Sequence, residues 1–172
     1  MNSINHRGFT LIELMAVVFI IGVILTFATI SVGQHSDQTL EEEAKRLHYL
    51  IKLASEEAVL RSVPMAMAVS KHGYQFGFTQ EDQFVPFKED EERLFRKREF
   101  PGEMEMELEL YGQAVSFDDP EQLPLIYIRS SGEMSEFTMT LNLPDLDTEP
   151  YTITGNFLGQ VQLLPPGAQT DG

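Results

Sequence analysis

The hydrophobic rhythm of the chain changes twice. From Leu11 to Val32 apolar residues follow one another with few interruptions, and between Leu14 and Gln34 there is no Asp, Glu, Lys or Arg. As a helix this run of roughly 21 residues rises ~31 Å, about the hydrocarbon thickness of a bilayer, so a transmembrane helix is expected there. Further on, Leu40, Ala44, Leu47, Ile51, Ala54 and Ala58 recur at alternating steps of four and three, which predicts an amphipathic helix with one buried stripe. Glu41, Glu42, Lys45, Arg46, Lys52 and Glu56 fall mostly off the stripe, as expected of a helix packed on a sheet with its other face in water. Nothing between Gly33 and Ser62 breaks a helix, so the two stretches read as one long element that Pro64 ends.

Past Pro64 the period becomes two. Met65 to Ser70, a turn at Lys71-His72-Gly73 and Tyr74 to Thr79 predict a hairpin. Glu103 to Leu110 alternates Glu with Met or Leu, which places Met104, Met106, Leu108 and Leu110 in a core and four carboxylates in water. Leu125 to Arg129, Glu136 to Leu143, Tyr151 to Phe157 and Gly159 to Leu164 complete the expected strands. A helix followed by an antiparallel sheet is an α+β arrangement. Residues 80–100, with the acidic block Glu89, Asp90, Glu91, Glu92 followed by Arg93, Arg96, Lys97 and Arg98, are expected to form a solvated connection whose charges compensate each other, in preference to the alternative of a partner surface. Ser130-Ser131-Gly132-Glu133 reads as a hairpin turn, and the chain after Pro165-Pro166-Gly167 as a frayed end.

Charge sharpens this division. The 172 residues carry 12 Lys and Arg against 27 Asp and Glu, a formal charge of -15. Residues 1–36 hold only Arg7 and Glu13, so the whole excess lies beyond them and the C-terminal part is an acidic domain, a poor partner for nucleic acid. With no Cys there is no disulfide, thiolate metal site or cysteine nucleophile. A nucleophilic Ser130 or Ser131 would need a base, and of the four His at 6, 35, 48 and 72 one falls in the leader and one at the membrane edge, which leaves two ordinary surface residues, His48 among them, so no catalytic residue is assigned. Asp145, Asp147 and Glu149 share the opening spacing of a calcium loop, but Pro150 stands where that loop has its turn Gly and no Glu fills the twelfth position. No metal site and no cofactor are expected.

Three readings suit the first 36 residues: a secretory signal cut near Thr26-Phe27-Ala28, a plain anchor, and an anchor whose polar leader is trimmed. The apolar run is long for a secretory signal. His6 and Arg7 before the span favour a cytoplasmic N terminus. Glu13 separates the other two, because a carboxylate at a helix centre in lipid costs about 2.5 to 3.5 kcal/mol and is seldom kept without a partner.

Arg7-Gly8-Phe9-Thr10-Leu11-Ile12-Glu13-Leu14 before an unbroken apolar helix resembles the signal of type IV pilins and type II secretion pseudopilins. The resemblance implies that a prepilin peptidase cuts after Gly8 and methylates Phe9, and that Glu13 pairs inside the membrane with the Phe9 amine of a neighbouring subunit. It divides the chain into a leader (1–8), a transmembrane helix (9–36), the periplasmic half of the long helix (37–62) and a β-rich periplasmic domain (63–172), a pilin-like fold. Ala54 to Val63, Gly73-Tyr74, Ser131-Gly132-Glu133 with Phe137 and Leu141, and Gly159-Gln160-Val161 resemble the H-type minor pseudopilins within that family.

Such a resemblance implies a non-enzymatic subunit, anchored once in the inner membrane, that joins a short periplasmic filament at or near its tip. Its partners would be major and minor pseudopilins, the prepilin peptidase and the inner-membrane assembly platform. The alternatives are a minor pilin of a type IV pilus and a membrane-anchored periplasmic binding or enzymatic module, which would leave Arg7 to Glu13 unexplained. Two departures stand out: no Pro precedes Pro64, so any local melting of the apolar helix rests on Gly22, and the C-terminal disulfide frequent in type IV pilins is missing.

Overall fold

The computed structural model describes residues 11–81, 83–88, 93–119, 123–144 and 148–168, with residues 24–37 described in backbone only. The chain forms two compact units, Met1–Asp37 and Gln38–Gly172. Helix α1 (Leu11–Arg61) supplies the first unit and opens the second. Its backbone is helical through Gly22. In the second unit every residue of the expected stripe, Leu40 through Ala58, is buried, and Leu50 joins it. Emptying one of these positions, as in Ile51→Ala, costs about 2–5 kcal/mol in a close-packed core. The other helix face carries the ion pairs Glu41–Lys45, Glu43–Arg46 and Glu57–Arg61 at the spacing of one turn.

The helix closes with a Schellman motif: the Val63 amide donates to the Ala58 carbonyl at 3.1 Å and the Ser62 amide to Val59 at 3.2 Å. That geometry puts Ser62 at a φ of 55°, a left-handed conformation usually given to Gly. Pro64 then turns the chain into the first sheet.

The single sheet expected from the sequence is two. The first has the order β3 (Gln83–Pro86), β2 (Gly73–Gln80), β1 (Met65–Ser70), β7 (Leu125–Ile128), with β4 (Arg98–Glu99) beside β3 on the free edge of β2. The second has the order β10 (Val161–Leu164), β9 (Tyr151–Gly155), β8 (Phe137–Asn142), β5 (Glu105–Leu110), β6 (Gln113–Ala114). All pairings in both are antiparallel. The β5 alternation is as expected, with Met106 and Leu108 buried and Glu107 and Glu109 exposed. Side chains of both sheets and of α1 meet in one core, from Leu47 and Ile51 through Phe76 and Ile126 to Met139 and Ile153.

The segment 80–100 is not the solvated connection expected. Phe87, Phe95 and Phe100 are buried in a chain of ring contacts with Tyr74, Phe76 and Phe78, at centroid separations of 4.4 to 5.9 Å. Burying three Phe outweighs exposing the charges between them, so the segment is tied down as an edge of the sheet. Gly73 lets β4 come this close: a Cβ there would stand 2.3 Å from the Arg98 carbonyl oxygen. The acidic block Glu89 to Glu92 lies outside the described residues.

The turn at Ser130 to Glu133 is the one expected. The Arg129 amide donates to Glu133 and one bridge joins Ile128 to Met134, so a short hairpin forms as read. Its arms then part, β7 staying in the first sheet and β8 entering the second.

Candidate functional site

The first site comes from α1. From Leu11 to Val23 every residue is exposed, with Leu11 80% and Phe19 74% accessible. Apolar surface of that extent is unusual for a soluble monomer and marks a segment that buries itself against lipid or other subunits. Glu13 lies in the first turn of this helix, the one acidic residue in an otherwise apolar stretch. The expected cleavage and methylation residues, Gly8 and Phe9, lie outside the described residues. Among the described residues no helix is long and apolar enough by itself to cross a membrane; the second half of the expected span, 24–34, is described in backbone only.

The second site is the junction of two turns with α1. Gly132 has a φ of 92°, and its ideal Cβ position is 3.6 Å from a Val59 methyl. Gly159, at a φ of 78°, backs onto it: an added Cβ would lie 2.1 Å from the Gly132 carbonyl oxygen and 3.8 Å from the Ser55 hydroxyl. The Gly159 turn is fixed by Gly159 N donating to Asn156 O at 3.0 Å and Gln160 N to the Asn156 side-chain oxygen at 3.0 Å. Two motifs read from the sequence, Ser131-Gly132-Glu133 and Gly159-Gln160-Val161, thus meet at one place, where glycine is demanded by backbone packing. His48 belongs to the same side of the fold; it is half-buried rather than a free surface residue, with Nε2 3.3 Å from the Val161 carbonyl of β10. Sequence spacing gave no sign of that contact, since 113 residues separate the partners.

Beside this junction a cavity of about 440 Å³ is lined by Met65, Tyr111, Tyr127, Met134 and Phe157, and Tyr111, Tyr127 and Phe157 are exposed at its mouth. The sequence reading singled out none of these aromatic residues. They lie in three different turns and strands, so only the fold gathers them.

Ser130 and Ser131 are turn residues; the Ser131 hydroxyl donates to a Glu133 carboxylate oxygen at 3.2 Å, and Glu133 stands 3.7 Å from Arg129. Among the described residues no group of three His, Cys, Asp or Glu could hold a metal ion, and Asp145 and Asp147 of the calcium-like spacing lie outside them.

Comparison with known proteins accounts for both halves. Residues 4–29 match the prokaryotic N-terminal methylation motif, and residues 43–159 match the type II transport protein GspH family. The type II secretion system protein H of Pseudomonas aeruginosa is 37% identical over 147 residues, which cover 78% of this chain and 82% of that protein. The protein of the same name from Aeromonas hydrophila is 26% identical over 93% of this chain and 95% of its own length. In fold, the chain is similar to the crystal structure of the minor pseudopilin EpsH from the type II secretion system of Vibrio cholerae, with a TM-score of 0.64 at 20% identity over 78% of this chain and 99% of that one. The type IV minor pilin FimU of Pseudomonas aeruginosa is similar at a TM-score of 0.53 and 14% identity, over 73% of this chain and 88% of that one. With a family match that takes in the helix stripe from Ala44 onward, every strand but β10 and the glycine junction, the chain belongs to the GspH family of type II secretion pseudopilins.

Proposed function

We infer that this chain works as a minor pseudopilin whose mature form begins at Phe9, after the prepilin peptidase has removed Met1 to Gly8. The exposed apolar face from Leu11 to Val23, with one carboxylate in its first turn, carries the reading. Before assembly that face sits in the inner membrane, with the α+β domain in the periplasm. During assembly it leaves lipid for the helices of neighbouring pseudopilins in a short filament, at or near the tip, whose extension drives protein export across the outer membrane. The assembly platform of the inner membrane hands the subunit over. The domain performs no chemistry of its own; its work is packing.

Glu13 gives that assembly a register. A positive N-terminal amine at Phe9 of an adjacent subunit satisfies the carboxylate in a medium where either charge alone is expensive, so an offset that separates them is penalised. The relatives named type II secretion system protein H favour this reading over a type IV pilus, since the likeness to a type IV minor pilin at 14% identity is one of fold.

The test is Glu13→Leu at matched expression. Insertion should persist or improve, because an insertion cost is removed, whereas cross-linking to the other pseudopilins and substrate export should be lost. Full incorporation and export would refute the pairing. Mass spectrometry of the wild-type chain extracted from membranes should find Met1 to Gly8 absent and a methyl group on Phe9.

A further inference from the structure

A second cleft, of about 460 Å³, opens between α1 and the segment that leads into β4. Arg46, Arg93, Arg96, Lys97 and Arg98 line it, together with Glu43 and Glu99. Five of the 12 cations of a chain with a charge of -15 thus face one cavity. The two carboxylates are already engaged, Glu43 by Arg46 and Glu99 by Lys97 at 3.6 Å. Gathering like charges costs free energy unless something offsets it.

Two buried polar groups lie at or next to the cleft wall, one on Arg98 itself and one on Tyr74, which pairs with Arg98 across β2 and β4. Among the described residues, Arg98 Nε is buried with no hydrogen-bond acceptor, and the hydroxyl of Tyr74, a residue only 3% exposed, has no partner either. The charges acting on that hydroxyl belong to Arg98, Glu43 and Arg46, all in the cleft wall. Burial pushes the Tyr74 phenol up to about 12, the Arg98 charge opposing the shift, so the group stays an O–H donor at any physiological pH. An unsatisfied buried donor is costly and calls for an acceptor.

We propose that this cleft is a docking site for a carboxylate-bearing segment of a neighbouring filament subunit. Asp or Glu side chains of the partner would enter among Arg93, Arg96 and Arg98 and accept hydrogen bonds from Arg98 Nε and the Tyr74 hydroxyl. Guanidinium groups suit this task because their forked donors match a carboxylate in both geometry and charge. The choice of a protein carboxylate as occupant rests on charge complementarity and on the filament role given above. The contact would lie on the domain, apart from Glu13, and would give each subunit a second, water-exposed point of recognition.

The test uses the full chain in a detergent with neutral head groups, titrated with a fluorescein-labelled hexaglutamate peptide and followed by anisotropy. Binding is expected, weakening steeply with added salt. Arg93 and Arg96 are exposed, so R93E/R96E should fold normally and bind at least tenfold less, and Y74F should bind severalfold less. Failure of the wild-type chain to bind the peptide overturns the proposal. So does binding of inorganic phosphate or phosphatidylglycerol nanodiscs with no binding of the peptide. Binding confined to E89Q/D90N/E91Q/E92Q assigns the cleft to the chain's own acidic block and overturns it equally. In cells, a photo-cross-linker at the exposed Leu94 should capture a pseudopilin in the wild type and lose it in R93E/R96E. An undiminished cross-link in R93E/R96E, with Glu13-dependent assembly intact, rejects the docking site while leaving the pseudopilin reading in place. Loss of Glu13 dependence rejects that reading on its own.

Discussion

Gly159→Ala tests whether the glycine junction is a structural support or a surface kept for a partner. The substitution carries two penalties. A left-handed φ of 78° costs a residue with a Cβ about 1–2 kcal/mol, and the methyl group would stand 2.1 Å from the Gly132 carbonyl oxygen, which belongs to a backbone that cannot swing aside. Overpacking of this kind costs about 1–3 kcal/mol, so the expected loss is about 2–5 kcal/mol. Gly102→Ala is the control, for its φ of 62° is similarly left-handed while nothing lies within 4 Å of its Cβ position. It should cost only the conformational part, about 1–2 kcal/mol. Urea unfolding of a fragment beginning at Gln38, the start of the second compact unit, measures both. At a slope of ~2 kcal/mol per molar, Gly159→Ala should lower the midpoint by roughly 1–2.5 M, well beyond Gly102→Ala. Equal midpoints for the two variants at unchanged slope would refute the packing account, and the Gly159 motif would then have to be explained by assembly.

Ser62→Gly should stabilise the same fragment by about 0.5–1 kcal/mol, since it relieves a left-handed serine at the helix terminus, and a neutral or negative change in thermal melting would contradict the cap described. Tyr74 makes stability fall at high pH: the unfolded phenol ionises near pH 10 and the folded one near 12, so between these values the unfolded state binds fewer protons and roughly 2 kcal/mol is lost by pH 12. Tyr74→Phe should flatten that part of the profile, and an unchanged slope would show that the phenol ionises normally. In cells with the peptidase, Gly8→Val should leave Met1 to Gly8 attached, because a side chain intrudes where the enzyme must approach the peptide; a mass lacking the leader would exclude the assignment.

Much of the fold could be read from the chain because its longest elements obey a single period. The stripe from Leu40 to Ala58 and the Glu/Met/Leu alternation of β5 report burial directly, and Pro64 and the turn at Lys71-His72 fall where the chain changes direction. The short edge strands were not legible. β4 and β6 have two residues each, too few to show any period, and β3 exists because Phe87 and Phe95 anchor the segment around it. Division into two sheets was invisible for a related reason: alternation along a strand tells which side chains are buried but carries no record of which strand lies alongside. At the N terminus the position of Glu13 was evident, since a charge in an apolar run stands out. The basic cleft was half visible; Arg93 to Arg98 read as a charge run, but only the fold brings Arg46 of α1 to it, and only the pairing of β2 with β4 sets Tyr74 beside Arg98.

The lengths of the strands bear on how such a subunit avoids the wrong polymer. Among the described residues, each strand at a sheet margin, β3, β4, β6, β7 and β10, has four residues or fewer, whereas the interior strands β1, β2, β5, β8 and β9 have five to eight. Pro86 closes β3, Pro124 precedes β7 and Pro165 follows β10, so amide donors are missing just where an incoming chain would extend a ladder. A protein concentrated side by side with its relatives meets their open backbones constantly. Blunted margins deprive such encounters of a template for cross-β growth.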